Sequence, residues 1–221
     1  MDLMEAIRAR HSVRQYTRKP IVGEKAEILQ DAVRSLSAES GVGIHLVLNE
    51  PLAFASRLAK YGKFKGCANY FVFTSGKDQD EAVGYYGEKL VLLAQQLGLN
   101  TCWVGATYGK KKVPVTCGPG EKIRIVIALG YGENQGDAHK NKKLESLYTV
   151  PGEAPDWFLA GMEAVLLAPT AVNQQKFHFT LGEDGTVTAE APRGPFTKVD
   201  LGIAKLHFEV GAGTENFRWA D

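Results

Sequence analysis

The chain has 221 residues, with 26 Lys+Arg against 25 Asp+Glu and a formal net charge of +1. Its 44% hydrophobic and 23% charged content excludes wholesale disorder, and the charge balance gives no reason to expect nucleic acid or an acidic membrane as a partner. No run approaches the roughly 18 consecutive apolar residues of a bilayer span. The opening Met1-Asp2-Leu3-Met4-Glu5 carries acids where a secretory signal needs positive charge. Cys67, Cys102 and Cys117 have no paired spacing, which argues against a disulfide framework or a zinc site. A cytoplasmic, reduced, globular protein is expected.

Leu3, Ala6 and Ile7 are spaced for a short amphipathic helix running into the basic segment Arg8 to Arg14, which Thr17-Arg18-Lys19-Pro20 then breaks. Leu29, Ala32, Val33 and Leu36 recur with helical period, so Glu24 to about Leu36 reads as a second helix. Ile44 to Leu48 and the aromatic, β-branched Ala68 to Thr74 read as strands. Glu81 to Leu97 is a helix apolar on nearly every side, hence buried, and Gly98 is its natural stop. Thr101 to Val104 and Arg124 to Leu129 are further strands, and Gly130 to Leu144 is a polar, cationic loop. Asp156 to Leu167 is an apolar helix, followed by a polar loop and a strand at Lys176 to Leu181. Gly182-Glu183-Asp184-Gly185 turns the chain so that Thr186 to Ala191 pairs back as a hairpin, and Leu201 to Val210 is a last helix. Helix, loop and strand thus occur twice, at about 24–48 and 156–181, a weak repeat of pattern that suggests two similar halves sharing one core. Pro151 to Pro155 is the best boundary, giving halves 1–150 and 151–221.

Four segments could carry chemistry. In Arg10-His11-Ser12-Val13-Arg14, two guanidiniums and a hydroxyl can converge on one anion if the chain bends around it; a solvated basic helix end is the plainer alternative. Ala168-Pro169-Thr170-Ala171-Val172-Asn173-Gln174-Gln175 makes a polar shelf whose small residues admit a flat ligand, or else a simple helix-to-strand loop. Gly98-Leu99-Asn100-Thr101-Cys102-Trp103-Val104-Gly105 is a strand ending in a glycine that exposes N–H groups, or a strand with a buried Trp. His139-Lys140-Asn141-Lys142-Lys143 is a charge run of the kind that ordinarily faces solvent.

Taken in order with Ile127-Ala128-Leu129-Gly130-Tyr131-Gly132, these segments resemble the nitroreductase-like FMN oxidoreductase family over roughly Leu3 to Phe179. In most of that family the Ala-Pro-Ser-x-x-Asn loop follows the first long helix. Here that position reads Leu36-Ser37-Ala38-Glu39-Ser40-Gly41, and the better copy lies at Ala168 to Gln174. The displacement resembles a subfamily in which a single chain is a pseudo-dimer of two half-similar units, whereas most members are intertwined homodimers. The fold implied is α+β, a central mostly antiparallel or mixed sheet flanked by helices, in two pseudo-symmetric halves. One FMN would lie between the first half's Arg10, Ser12 and Arg14 and the second half's Pro169 to Asn173, in a monomeric pseudo-dimer or a homodimer.

The resemblance also implies roles. Arg10 and a late cation, Lys142 with Lys140 as substitute, would clamp the FMN phosphate, with His11 and Ser12 near the phosphate and ribityl. Arg14 would face flavin N1 and O2, where reduced flavin is negative. Val104 and Gly105 would offer N–H groups to N5 and O4, while Pro169, Thr170, Ala171 and Asn173 would line the ring. Lys63 and Lys65 are further candidates. The implied reaction is ping-pong: NAD(P)H, a transient reductant, gives hydride to flavin N5, and a nitroaromatic, quinone or similar small-molecule acceptor then takes it. No catalytic acid or base is required, because the flavin carries the chemistry. The five His lack metal-ligand spacing, so no metal is expected. Gly130-Tyr131-Gly132 lacks the third Gly and the apolar helix of a dinucleotide fingerprint. An FMN store or sensor, and a flavin enzyme of the cobalamin-ligand-forming or dehalogenase type, are the alternatives on this scaffold.

Overall fold

A computed structural model describes residues 1–220. Four strands, β1 (Gly43–Val47), β2 (Asn69–Ser75), β3 (Asn100–Val104) and β4 (Lys122–Gly130), form an antiparallel sheet ordered β1-β2-β4-β3. Both faces of its centre are covered. Phe71, Phe73, Ile125 and Ile127 face one cluster, where they meet the helices α2 (Glu24–Ser40) and α4 (Asp80–Gln96). Tyr70, Val72, Val126 and Ala128, offset by one residue, face a second cluster with Phe54, Phe64 and Tyr108. Period-2 side-chain alternation sorts one continuous apolar run onto two faces, which explains why every residue of β2 is buried.

A second, mixed sheet follows the order β5-β6-β7-β8, from Tyr148–Thr149, His178–Leu181, Thr186–Glu190 and Arg218–Trp219. The hairpin β6–β7 is antiparallel, as the Gly182 to Gly185 turn predicts, and the two-residue edge strands pair parallel on either side. Helices α5 (Asp156–Leu166) and α6 (Thr197–Ala212) complete the structure. The first cluster contains Phe71 and Leu90 as well as Phe158, Phe179 and Phe208, so the two sheets share one core. Helix α6 lies against both α4 and α5. Its contact with α4 is backbone-close: a Cβ on Gly202 would overlap the Glu81 carbonyl oxygen, and one on Gly84 the Val199 carbonyl oxygen. Among the described residues, no helix is long and apolar enough to cross a membrane.

Several boundaries differ from the sequence reading. The first helix, α1 (Leu3–Ala9), stops at Arg10 rather than at Thr17. The basic segment beyond it is extended, because the Val13 N–H donates to Thr101 O (2.9 Å) and the Tyr16 N–H to Lys65 O (2.9 Å). Tertiary backbone bonds outcompete continuation of a short helix. The last helix begins at Thr197, four residues before Leu201. A short helix, α3 (Arg57–Tyr61), capped by the Ser56 hydroxyl, and the strands β5 and β8 have no counterpart in that reading. Strand β5 lies before Pro151 yet pairs with β6, so the second sheet draws a strand from the chain ahead of the expected boundary.

Candidate functional site

The extended segment after α1 carries its polar side chains into a cavity of about 520 Å³. Arg10 is a cap residue whose Nη1 donates to Leu167 O (3.0 Å) at the end of α5, and burial lowers its pKa against the raising influence of Glu88. It is 4% exposed, whereas Arg14 is exposed. Both line the cavity with Ser12 and Lys63, and Asp137 is the carboxylate among its walls. A concave surface with three cations and one acid attracts an anion.

The far wall is the loop that follows α5. Pro169, Thr170 and Asn173 line the same cavity, so the N-terminal bend and the late loop meet there. The loop is held in an uncommon conformation: Val172, Asn173 and Gln175 have φ of 47°, 55° and 42°, left-handed values costly for side-chain-bearing residues. Three sets of bonds impose it. Gln175, 1% exposed, takes Thr170 Oγ1 as the acceptor for its N–H (3.1 Å) and accepts from the Lys142 N–H (2.8 Å). Asn173 Nδ2 donates to Lys140 O (2.7 Å). Asp200, in the first turn of α6, accepts from Ala171 N (3.0 Å) and Gln174 Nε2 (2.7 Å). Burial pushes its carboxyl up to about 6 in spite of those two donors.

The cavity is continuous at Ser12, Arg14 and Thr170 with a second chamber of about 700 Å³. Trp103, Val104, Gly105 and Ile125 form one side of this chamber, and Ala171, Phe196 and Ile203 another. A Cβ on Gly105 would overlap the Phe196 ring, so only glycine lets that ring lie against the end of β3. Trp103 is fixed from behind: its Nε1 donates to Glu88 Oε2 (2.9 Å), whose other oxygen meets His207 Nε2 at 3.0 Å. His207 Nδ1 faces Ala164 O (3.0 Å). Both ring nitrogens of His207 therefore meet oxygen atoms of the fold, and the His207 and Glu88 side chains are completely buried. The interior of α4, read as plain apolar core, therefore contains a buried carboxyl, Glu88, whose hydrogen bonds to Trp103 and His207 support the chamber.

The structure brings Arg10, Ser12, Arg14, Pro169, Thr170 and Asn173 to the cationic cavity, and Val104, Gly105 and Ala171 to the chamber beside it. Lys63 reaches both. Lys65 instead pairs with Glu133 (3.2 Å). Three further residues are corrected. Lys142 does not reach Arg10: its Nζ donates to Gln175 O (2.7 Å), and it lines a separate surface cavity. Lys140 enters through its backbone carbonyl rather than its ammonium. His11 lies against Gly136, outside the walls of both cavities, and its pKa is lowered by burial and by Arg10. His139 and Asn134 line the cavity from the same polar loop instead. Sequence reasoning also missed Asp200 and Phe196. A lone carboxylate in the apolar run Val199 to Ala204 is the one signal for the former. Among the described residues, no cluster of His, Cys, Asp and Glu could hold a metal ion.

A family model described as "Putative TM nitroreductase" matches residues 2–212. No curated protein matches the chain. Among solved structures, a "putative nitroreductase" from Thermotoga maritima MSB8 is similar at 22% identity and a TM-score of 0.67, over 96% of this chain and 83% of that one. A "putative nitroreductase in complex with FMN" from Desulfovibrio desulfuricans aligns at 18% identity and a TM-score of 0.53, covering 70% of this chain and 98% of the other. A "putative NADH dehydrogenase/NAD(P)H nitroreductase" from Bacteroides thetaiotaomicron gives 16% identity and a TM-score of 0.52, over 66% and 96%.

Proposed function

Since the chain belongs to the nitroreductase family whose model spans residues 2–212, we propose that it is an FMN-dependent oxidoreductase passing reducing equivalents from NAD(P)H to a quinone, nitroaromatic or similar acceptor. The observation that carries this reading is the meeting of Arg10, Ser12 and Arg14 with Pro169, Thr170 and Asn173 around one cationic cavity that opens onto an apolar chamber. An anion with a flat ring attached fits that pair of spaces, and FMN is such a molecule; the Desulfovibrio desulfuricans relative is a complex with FMN. Bound FMN would supply two-electron redox chemistry, so no acid–base side chain is obligatory.

The chain's own residues have the remaining tasks. Arg10, whose Nη1 is committed to Leu167 O, would present its other donors to a phosphate with Lys63, while Arg14, which lines both spaces, would face flavin N1 and O2. The strained 170–175 loop, tied to Asp200, keeps small side chains against the ligand, and Trp103, pinned by Glu88, fixes the opposite wall. A site prearranged in this way does not spend binding energy on ordering loops. Because one cavity takes walls from both 1–150 and 151–221, we read the chain as a pseudo-dimer of those halves that holds one FMN.

The purified protein is therefore expected to be yellow, with about one FMN per chain. Arg14 is exposed, so Arg14→Ala should fold normally while weakening FMN by about 1.5–3 kcal/mol, the scale of a charge-assisted hydrogen bond. Fluorescence titration of the apoprotein measures this. Full flavin retention by Arg14→Ala and by Arg10→Ala would remove the cationic bend from the site.

A further inference from the structure

A third cavity, of about 780 Å³, adjoins the chamber. It shares Gly105, Ala106, Phe196 and Val199 with the chamber, and none of the walls of the cationic cavity described above. Its rim carries Lys110, Lys111 and Lys112, on a 3-10 turn, with Lys122 and Arg124 from β4. Arg124 is neutralised within the fold: it bonds the Ser75 and Gly76 carbonyls and lies 3.6 Å from Asp80. The four lysines differ. All are exposed, and among the described residues none has a carboxylate within ion-pair distance. Asp80, the carboxylate in the wall, is taken up by Arg124, so the like charges of the four lysines around one groove repel unless a ligand supplies the opposite sign.

The apolar chamber therefore stands between two separate cationic cavities. One serves the cofactor's single phosphate in the reading above, and the inference that follows rests on that reading. The other is left for the anionic part of a molecule whose reacting end shares the chamber. Gly105, at the chamber, and Lys110 are five residues apart in the chain, a separation of at most about 18 Å. A ligand that satisfies both ends has a flat ring joined, within that reach, to several negative charges. A reduced nicotinamide dinucleotide has this form, and the phosphorylated dinucleotide carries the greater charge. We infer that Lys110, Lys111, Lys112 and Lys122 form the site for the phosphates of the electron donor and set a preference for NADPH over NADH. Phe196, which lines both spaces with φ of 61°, marks the threshold between ring and tail.

The test uses the FMN-loaded protein and the double variant Lys111→Glu/Lys112→Glu; Lys110 is spared because its Nζ bonds Ile123 O (3.3 Å). Isothermal titration with 2′,5′-ADP, which has the phosphates without the redox ring, should show binding to the unaltered protein and a loss of about tenfold or more in the variant, the scale of a charge-assisted contact. The ratio of kcat/KM for NADPH to that for NADH should fall by a similar factor, and the unaltered protein's KM for NADPH should rise with ionic strength. FMN content should stay the same. No binding of 2′,5′-ADP to the unaltered protein, or an unchanged NADPH-to-NADH ratio in the variant, would overturn the inference. Loss of FMN from the variant would also overturn it, by giving the groove to the cofactor phosphate. Should the protein take up no flavin at all, the flavin reading falls by itself, and the 2′,5′-ADP titration still decides whether the groove binds phosphate.

Discussion

Asp200 shows what a single buried carboxylate does here. It is 2% exposed, and its carboxyl rises from 3.8 to about 6 because burial outweighs two hydrogen bonds. A folded value above the unfolded one means that the fold binds this proton more tightly than the unfolded chain does. Stability from this group is complete below about pH 4 and is lost as pH rises to about 6, a change on the order of 3 kcal/mol. Above that window the ionised group costs stability but gives both oxygens to the N–H donors of Ala171 and Gln174. Urea unfolding of the native protein and Asp200→Asn at pH 4.5 and pH 7 should show the native protein gaining stability relative to the variant on acidification. A pH-independent difference would mean that Asp200 does not titrate in this range. At the residue scale, Arg10, Arg14, Pro169, Thr170 and Asn173 were legible in the sequence, as cations and small or amide residues grouped too closely for a core. Asp200 and Lys142 were not, since their partners lie 26 to 33 residues away.

Helix α6 packs through two glycine contacts as well as through its buried apolar residues. Gly202 lets the α6 backbone come against the Glu81 carbonyl of α4, and Gly84 returns the same approach toward Val199. Alanine is a better helix former than glycine by about 1 kcal/mol, so Gly202→Ala would stabilise an isolated helix. In this protein it is expected to destabilise by about 1–3 kcal/mol, because the Cβ must push two packed helices apart. Chemical denaturation measures the difference, and a variant as stable as the native protein would show that the interface can open without cost. The same interface fixes Asp200, Ile203 and His207 on α6 relative to Trp103 and Glu88, so helix spacing sets the width of the chamber. The long helices and the strongly β-branched strands were legible because their periodicity is local. The ends of α1 and α6, and the strands of two residues, were not: Arg10 turns away because Thr101 and Lys65 offer backbone partners, and Tyr148 and Arg218 are strands only because β6 and β7 lie beside them.

Across the whole molecule, one hydrophobic cluster joins Phe71 and Leu90 to Phe158, Phe179 and Phe208. Neither sheet can lose its helices without exposing the other's core. Unfolding should therefore be a single transition, with far-UV dichroism and flavin fluorescence sharing one midpoint. FMN at a hundredfold over its Kd should raise the unfolding free energy by about 2.7 kcal/mol if it binds only the folded chain. Two separated transitions would instead make 1–150 and 151–221 independent units.

By itself the sequence determined the class of the molecule: balanced charge, alternating and helical periods, a cationic segment near the N-terminus and an amide-bearing loop late in the chain. These are properties of neighbouring residues, and neighbours are what a sequence records. Tertiary structure decided which cations face which cavity. It committed Lys142 to Gln175, paired Lys65 with Glu133, brought Lys63 to the bend and left Lys110, Lys111, Lys112 and Lys122 around a second groove with no ion-pair partner among the described residues. The physical reason is that a side-chain charge is the same wherever it falls in the chain, while its partner, its burial and the cavity it faces depend on which distant backbone packs against it.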